Sequence, residues 1–88
     1  MSPEMKLAEI GNLHLIIYTF HNKGDLLPLH DHEEGAAHIT IVNAGSIKAY
    51  GDGWEKILKP GNIELFVPKQ HHAFLALEDN SKVTNIIY

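Results

Sequence analysis

Four histidines in this chain have a spacing that suits metal chemistry. The 88 residues include seven histidines, as many as all lysines and arginines together. Three of the histidines fall in the stretch LHDHEEGAAH, from Leu29 to His38, and a fourth candidate follows in KQHHAFLAL. Histidine is the commonest metal ligand in proteins and titrates near neutral pH. The residues of interest are therefore His30, His32, His38 and His72, if the fold brings them together.

The pattern along the chain predicts an all-β fold. Short apolar segments end in turn residues every eight to twelve positions, a spacing typical of sandwiches and barrels. No segment sustains a helical period. The Asp52-Gly53 pair between two apolar segments is a strong hairpin signal. The predicted strands are Lys6–Ile10, Leu13–Phe20, Leu27–His30, His38–Val42, Ser46–Tyr50, Trp54–Leu58, Ile63–Val67, His72–Leu77 and Val83–Ile87.

Strand alternation allows the four histidines to converge. Side chains two positions apart on a strand share a face, so His30 and His32 point the same way and His38 shares a face with Thr40. One arrangement of a barrel brings these histidines and His72 inward together. Neutral imidazoles in a core without a cation leave ring nitrogens in need of partners, at about 1–3 kcal/mol each. A divalent metal meets that need.

The three other histidines are interpreted differently. No motif places His14 or His21, so we expect both to be exposed or singly hydrogen-bonded. His71 points away from the face of His72 by alternation. We expect His71 to be a loop residue, or a residue that contacts a metal ligand without binding the metal itself.

Composition excludes several classes of function. The absence of cysteine excludes disulfides and thiolate metal sites. The net charge is -4, and the seven basic residues are scattered lysines, so we expect no nucleic-acid partner. The longest apolar run, Leu15–Tyr18, is too short to span a bilayer. The N-terminal sequence lacks the order of a signal peptide, so we expect a cytoplasmic protein without a membrane partner.

The small size of the chain indicates a need for extra stabilisation. Eighty-eight residues correspond to one domain with a small core, and such domains gain stability from a metal or a partner subunit. We therefore expect a homodimer. Leu75 and Leu77, with Ile39 and Ile41, are expected to form an outward stripe that packs against a second sheet.

The residues around the first histidine cluster resemble the first motif of the cupin superfamily. That motif begins with a glycine, then five residues, then His-x-His. The same pattern occurs here as Gly24, the segment DLLPL and His30-Asp31-His32. Its final glycine corresponds to Gly45. His38 lies seven residues before Gly45, where the family usually has a glutamate. Motif 1 spans about residues 24–45.

The segment at about residues 61–77 resembles the second cupin motif. A glycine is followed there by a histidine eleven residues later with a proline between, as in Gly61, Pro68 and His72. Fifteen residues separate Gly45 from Gly61, similar to the compact spacing of small cupins. The resemblance implies a single cupin domain over residues 1–88. Its expected fold is an all-β double-stranded β-helix, or jelly-roll barrel.

The chain departs from the family pattern in two ways, and the first leaves the identity of one metal ligand undecided. Five residues separate His38 from His32, more than the family has, so Glu33 or Glu34 could reach back as a carboxylate ligand in place of His38. The asparagine that the family usually places four residues after its last histidine is Ala76 here. All-histidine sites occur in the family.

The resemblance implies a divalent transition metal held by His30, His32, His38 and His72, with iron, manganese, nickel, copper and zinc all compatible with nitrogen ligands. Neutral imidazoles leave the metal its full charge, which favours a small anionic substrate or ligand. A metal-dependent, oxygenase- or oxidase-like enzyme is the favoured hypothesis, with no separate catalytic residue assigned. The alternatives are an isomerase- or lyase-type cupin, a metal-dependent binding module without turnover, and a barrel whose histidines serve only stability and assembly.

Overall fold

Nine strands make up the secondary structure of the described residues. A computed structural model describes residues 3–30, 38–66 and 71–87, and for residues 28–30 it describes the backbone alone. The strands are β1 (Glu4–Ile10), β2 (Leu13–Phe20), β3 (Leu26–His30), β4 (His38–Ala44), β5 (Ile47–Gly51), β6 (Trp54–Leu58), β7 (Ile63–Phe66), β8 (His72–Ala76) and β9 (Ser81–Ile87). All nine predicted strands are present, so the all-β prediction is confirmed. The described ranges contain no helical segment that could span a bilayer.

The strands form two antiparallel sheets between which the chain alternates. One sheet has five strands in the order β1-β2-β9-β4-β7, and the other has four in the order β3-β8-β5-β6. From β2 onward, every connection except the β5–β6 hairpin passes from one sheet to the other. Most strands that are consecutive in sequence therefore lie in different sheets. This alternation places β4 and β8 in opposite sheets.

The core lies between the two sheets. Phe20, Val42 and Val83 contribute from the five-stranded sheet, and Ile47 and Phe74 from the other; all five are at most 2% exposed. Buried positions alternate with more exposed ones along β4, β5 and β9, as the period of a strand requires. Burying such a side chain contributes about 1.5–3 kcal/mol. The same inward alternation carries polar residues into the interior at one end of the core.

An ion pair connects the two sheets at one edge. Lys56 Nζ on β6 lies 2.6 Å from Glu64 Oε1 on β7, and these strands are the edge strands of different sheets. Lys56 is 55% exposed and Glu64 21%. A pair with this exposure contributes at most about 1 kcal/mol.

The prediction that Leu75 and Leu77 form one apolar stripe with Ile39 and Ile41 is wrong, because β4 and β8 belong to different sheets. Ile39 and Ile41 lie on the outer face of the five-stranded sheet, opposite the buried Thr40. Leu75 lies on β8, and its neighbours Phe74 and Ala76 point inward from the other sheet. The two pairs therefore face away from each other on opposite sides of the molecule. The expected homodimer stays a prediction.

Burial of one tyrosine predicts weaker folding at alkaline pH. Tyr18 is 8% exposed, and burial raises the pKa of its phenol above the usual value. Above the ordinary tyrosine pKa of about 10, the unfolded chain loses this proton while the folded chain retains it. The stabilising effect is complete below that pH and declines as the pH rises toward the folded-state pKa.

We therefore expect the free energy of unfolding to fall between about pH 9 and pH 11, and to fall less in Tyr18→Phe. Urea denaturation across this range measures both slopes. The hydrogen bond from Lys48 to Glu55 raises the pKa of Lys48, so part of the decline remains in the variant. Equal slopes in the two proteins would contradict the assignment to Tyr18.

Candidate functional site

Two histidines from opposite sheets meet in the interior. His38 begins β4 and His72 begins β8, and they are 1% and 0% exposed. Their ring centroids are 4.9 Å apart, with 46° between the ring planes. We call these two residues the histidine pair. Both are inward positions of alternating strands, and the passage of the chain between sheets aligns them.

Aromatic rings surround the histidine pair. The Phe66 ring stacks on His72 with a centroid distance of 4.4 Å and lies 5.2 Å from the His38 ring. Phe74, two residues after His72, lies 5.5 Å from its ring. Trp54 packs against Phe66 at 5.9 Å. The histidine pair therefore packs against aromatic rings, which lowers the local dielectric constant and strengthens any charge interaction there.

A buried polar chain leads away from His38 along the five-stranded sheet. Thr40 Oγ1 lies 3.0 Å from His38 Nε2 and donates a hydrogen bond of 2.9 Å to Asn85 Oδ1. Thr40 and Asn85 are both 0% exposed and lie directly opposite each other on β4 and β9. The sequence predicts that Thr40 shares the face of His38, as observed, whereas Asn85 is not among the predicted residues. The inward position of Asn85 in the alternating segment VTNII is the signal that could have identified it.

The described residues bring together two of the four predicted metal ligands. The backbone of His30 pairs with that of His72, since the two Cα positions are register partners on β3 and β8. His32 and the alternative ligands Glu33 and Glu34 lie outside the described residues. Among the described residues there is no group of three histidine, cysteine or acidic side chains that could hold a metal. Metal binding by His30, His32, His38 and His72 therefore stays a prediction.

The remaining histidines lie nearer the surface. His21 Nε2 is 3.1 Å from Glu4 Oε2, and the His21 side chain is 57% exposed. His14 Nδ1 is 3.3 Å from Glu9 Oε1, with 42% of the His14 side chain exposed. His71 is also exposed and directly precedes β8. None of these three residues belongs to the enclosed histidine pair.

A shallow depression lies elsewhere, at the β5–β6 hairpin. Its volume is about 380 Å³. Lys48 Nζ lies 2.7 Å from Glu55 Oε2 and 5.8 Å from the centre of the Tyr50 ring, so its charge is already matched. The depression is lined by Lys48, Tyr50, Gly51, Gly53, Trp54 and Glu55. Neither member of the histidine pair lines it, and we do not place the functional site there.

Comparison with known proteins identifies the fold. A RmlC-like cupin protein from Desulfovibrio desulfuricans is 25% identical, with a TM-score of 0.87 over 98% of this chain and 81% of that one. KdgF from Halomonas sp. is 25% identical, with a TM-score of 0.84 over 94% and 74% of the two chains. A Cupin_2 domain of an XRE family transcriptional regulator from Enterobacter cloacae superposes with a TM-score of 0.87 over 100% and 97%, at 17% identity.

The sequence itself has diverged further than the fold. No family model matches the chain. No curated protein matches it in sequence. The structural neighbours nevertheless cover nearly the whole chain, and those at the lowest identities share the fold alone. The chain has the double-stranded β-helix fold of the cupins, which it shares with these structural neighbours.

Proposed function

We propose that this chain is a small metal-binding cupin domain that acts on a small anionic molecule. The single observation that carries the proposal is the histidine pair, two buried imidazoles from opposite sheets with ring centroids 4.9 Å apart. His30 and His32 are the proposed further ligands, and the backbone pairing of His30 with His72 supports the first of them.

The donors in this region fit a divalent transition metal. Imidazole nitrogens suit zinc, copper, iron and nickel, and both imidazoles of the histidine pair are at most 1% exposed. When bound, such a metal supplies Lewis-acid polarisation of a coordinated substrate and, for iron, copper or manganese, redox chemistry. Neutral ligands leave its charge uncompensated. That charge supports the proposal of an anionic substrate, such as a carboxylate.

We favour oxygenase- or oxidase-like chemistry over isomerase or lyase chemistry, because among the described residues the carboxylate nearest in register to the histidine pair is already held in an ion pair. Isomerases and lyases need a side chain that moves a proton at the substrate. Glu64 lies opposite Thr40 on the inward face, and Lys56 holds its carboxylate at 2.6 Å. A metal centre that carries out oxidation needs less help from such a residue. A binding module without turnover remains the alternative.

Metal analysis of the untagged protein and two variants tests the proposal. We expect near-stoichiometric transition metal in the parent and a loss of at least tenfold in His72→Ala, since a buried nitrogen ligand is removed. His21→Ala is the matched control, because the His21 side chain is exposed and contacts Glu4. We expect it to retain the parental metal content.

The outcomes separate the proposal from its alternatives. A parent that takes up no metal after exposure to iron, manganese, nickel, copper and zinc in turn would overturn the proposal and leave the histidines a role in stability. Equal metal content in His72→Ala and the parent would also overturn it. With metal bound, oxygen consumption in the presence of small carboxylates distinguishes an oxidising enzyme from a binding module.

A further inference from the structure

The hydrogen bonds around Thr40 determine which nitrogen of His38 carries a proton. A threonine hydroxyl has one hydrogen to donate, and an amide oxygen can only accept. Thr40 donates that hydrogen to Asn85 Oδ1 at 2.9 Å. At its 3.0 Å contact with His38 Nε2, the hydroxyl must therefore accept. Nε2 is then the protonated nitrogen, and in the neutral ring the lone pair is on Nδ1.

The surroundings hold this arrangement in place. Thr40 and Asn85 are direct cross-strand partners between β4 and β9, so their side chains lie beside each other on the same face of the sheet. His38, Thr40 and Asn85 are each at most 1% exposed, so bulk water does not compete for these hydrogen bonds. The β-branched side chain of Thr40 restricts its rotation. The chain of donors runs in one direction, from His38 through Thr40 to Asn85.

We infer that Thr40 and Asn85 are positioning residues that fix the tautomer and the ring orientation of His38, so that His38 presents Nδ1 to a bound metal. The metal part of this inference rests on the proposed function. The tautomer of His38 does not, because the hydrogen bonds that set it belong to the protein alone. A histidine whose other nitrogen is held by such a partner binds metal with a defined geometry.

Nitrogen-15 NMR of the metal-free protein tests the tautomer directly. At a pH where the imidazole ring is neutral, we expect Nε2 of His38 to have the ¹⁵N chemical shift of a pyrrole-type nitrogen, which carries a hydrogen. Nδ1 is expected to have the chemical shift of a pyridine-type nitrogen, which carries the lone pair. Assignment comes from comparison with His38→Gln. The opposite pattern would show that Asn85 presents its amide nitrogen to Thr40 and would overturn the inference. Because no metal is present, this result is independent of the proposed function.

Two matched variants test the effect on metal binding. Thr40→Val keeps the branched shape and loses the hydroxyl, whereas Thr40→Ser keeps the hydroxyl. We expect Thr40→Val to lose the single-tautomer signature and to bind the metal found in the parent about 10–100-fold more weakly. Thr40→Ser is expected to retain both properties. Equal affinity in all three proteins would overturn the positioning role, and equal weakening in both variants would show a packing effect instead.

The failures of the two proposals are distinguishable. A parent without metal affinity contradicts the proposed function, while the NMR pattern still decides the tautomer. A parent that binds metal and has the opposite tautomer contradicts only the positioning role of Thr40 and Asn85. If Thr40→Val does not fold, the NMR pattern of the parent and of Thr40→Ser still supports or overturns that role.

Discussion

Replacing Phe66 with alanine is expected to lower the free energy of unfolding by about 3–5 kcal/mol. Phe66 is 3% exposed, and its ring contacts the histidine pair, Trp54 and Phe74. The substitution removes those contacts and leaves a cavity beside the histidine pair. A domain of 88 residues has a total stability of about 4–13 kcal/mol, so the loss is a large fraction of it. Urea denaturation measures the change.

Two controls separate cavity formation from general damage to β7. Leu65, the preceding residue, is 68% exposed and points outward, so Leu65→Ala is expected to cost only about 0.5 kcal/mol. Phe66→Leu retains most of the volume and is expected to cost less than about 1.5 kcal/mol. A similar loss of stability in Leu65→Ala and Phe66→Ala would contradict the explanation by burial of the Phe66 ring. It would indicate that substitutions in β7 destabilise the strand wherever they are made.

Replacing Gly45 with alanine is expected to destabilise the fold through two additive effects. Gly45 connects β4 to β5 with φ of 71°, a conformation that costs an L-residue about 1–2 kcal/mol. A Cβ there would also lie 2.8 Å from the Cα of Ser81, so the backbone of β9 must move. Such overpacking costs about 1–3 kcal/mol more. Denaturant unfolding gives the sum.

Gly11 provides the matched control for that substitution. Its φ is 56°, and a Cβ at this position meets no atom within 4 Å. Gly11→Ala therefore reports the conformational cost alone. The difference between the two variants measures the displacement of Ser81, whose hydroxyl donates to the Glu78 carbonyl at 2.9 Å and accepts from the Ser46 N–H at 3.3 Å. Equal losses would show that β9 accommodates the methyl group without cost.

The strands were predictable because turn chemistry marks their ends. The Asp52-Gly53 turn joins β5 to β6, and Gly53 has the positive φ of 75° that favours glycine. Alternation also predicted correctly that His38 and Thr40 share a face, and it allowed the inward position that His72 has. These features are local, and local sequence carries enough information to fix them.

The relation between distant strands was harder to predict. Alternation defines the two faces of a strand but not the sheet to which it belongs, which is why Ile39 and Leu75 were wrongly placed in one stripe. Asn85 was missed for the same reason, since its role depends on β9 lying beside β4. Sheet order depends on which strands pair, and one sequence gives little information about pairing between distant segments.

The placement of β9 has a consequence for how the interior is assembled. β9 pairs with β2 on one side and β4 on the other, so residues near position 14 meet residues near position 87. Closing such long loops costs entropy before any contact offsets it, and folding of chains rich in non-local pairings is slow, on the order of milliseconds to seconds. Thr40 acquires its partner Asn85 only when β9 docks. The tautomer of His38 is therefore a property of the completed fold, and a partly folded chain has not yet set it.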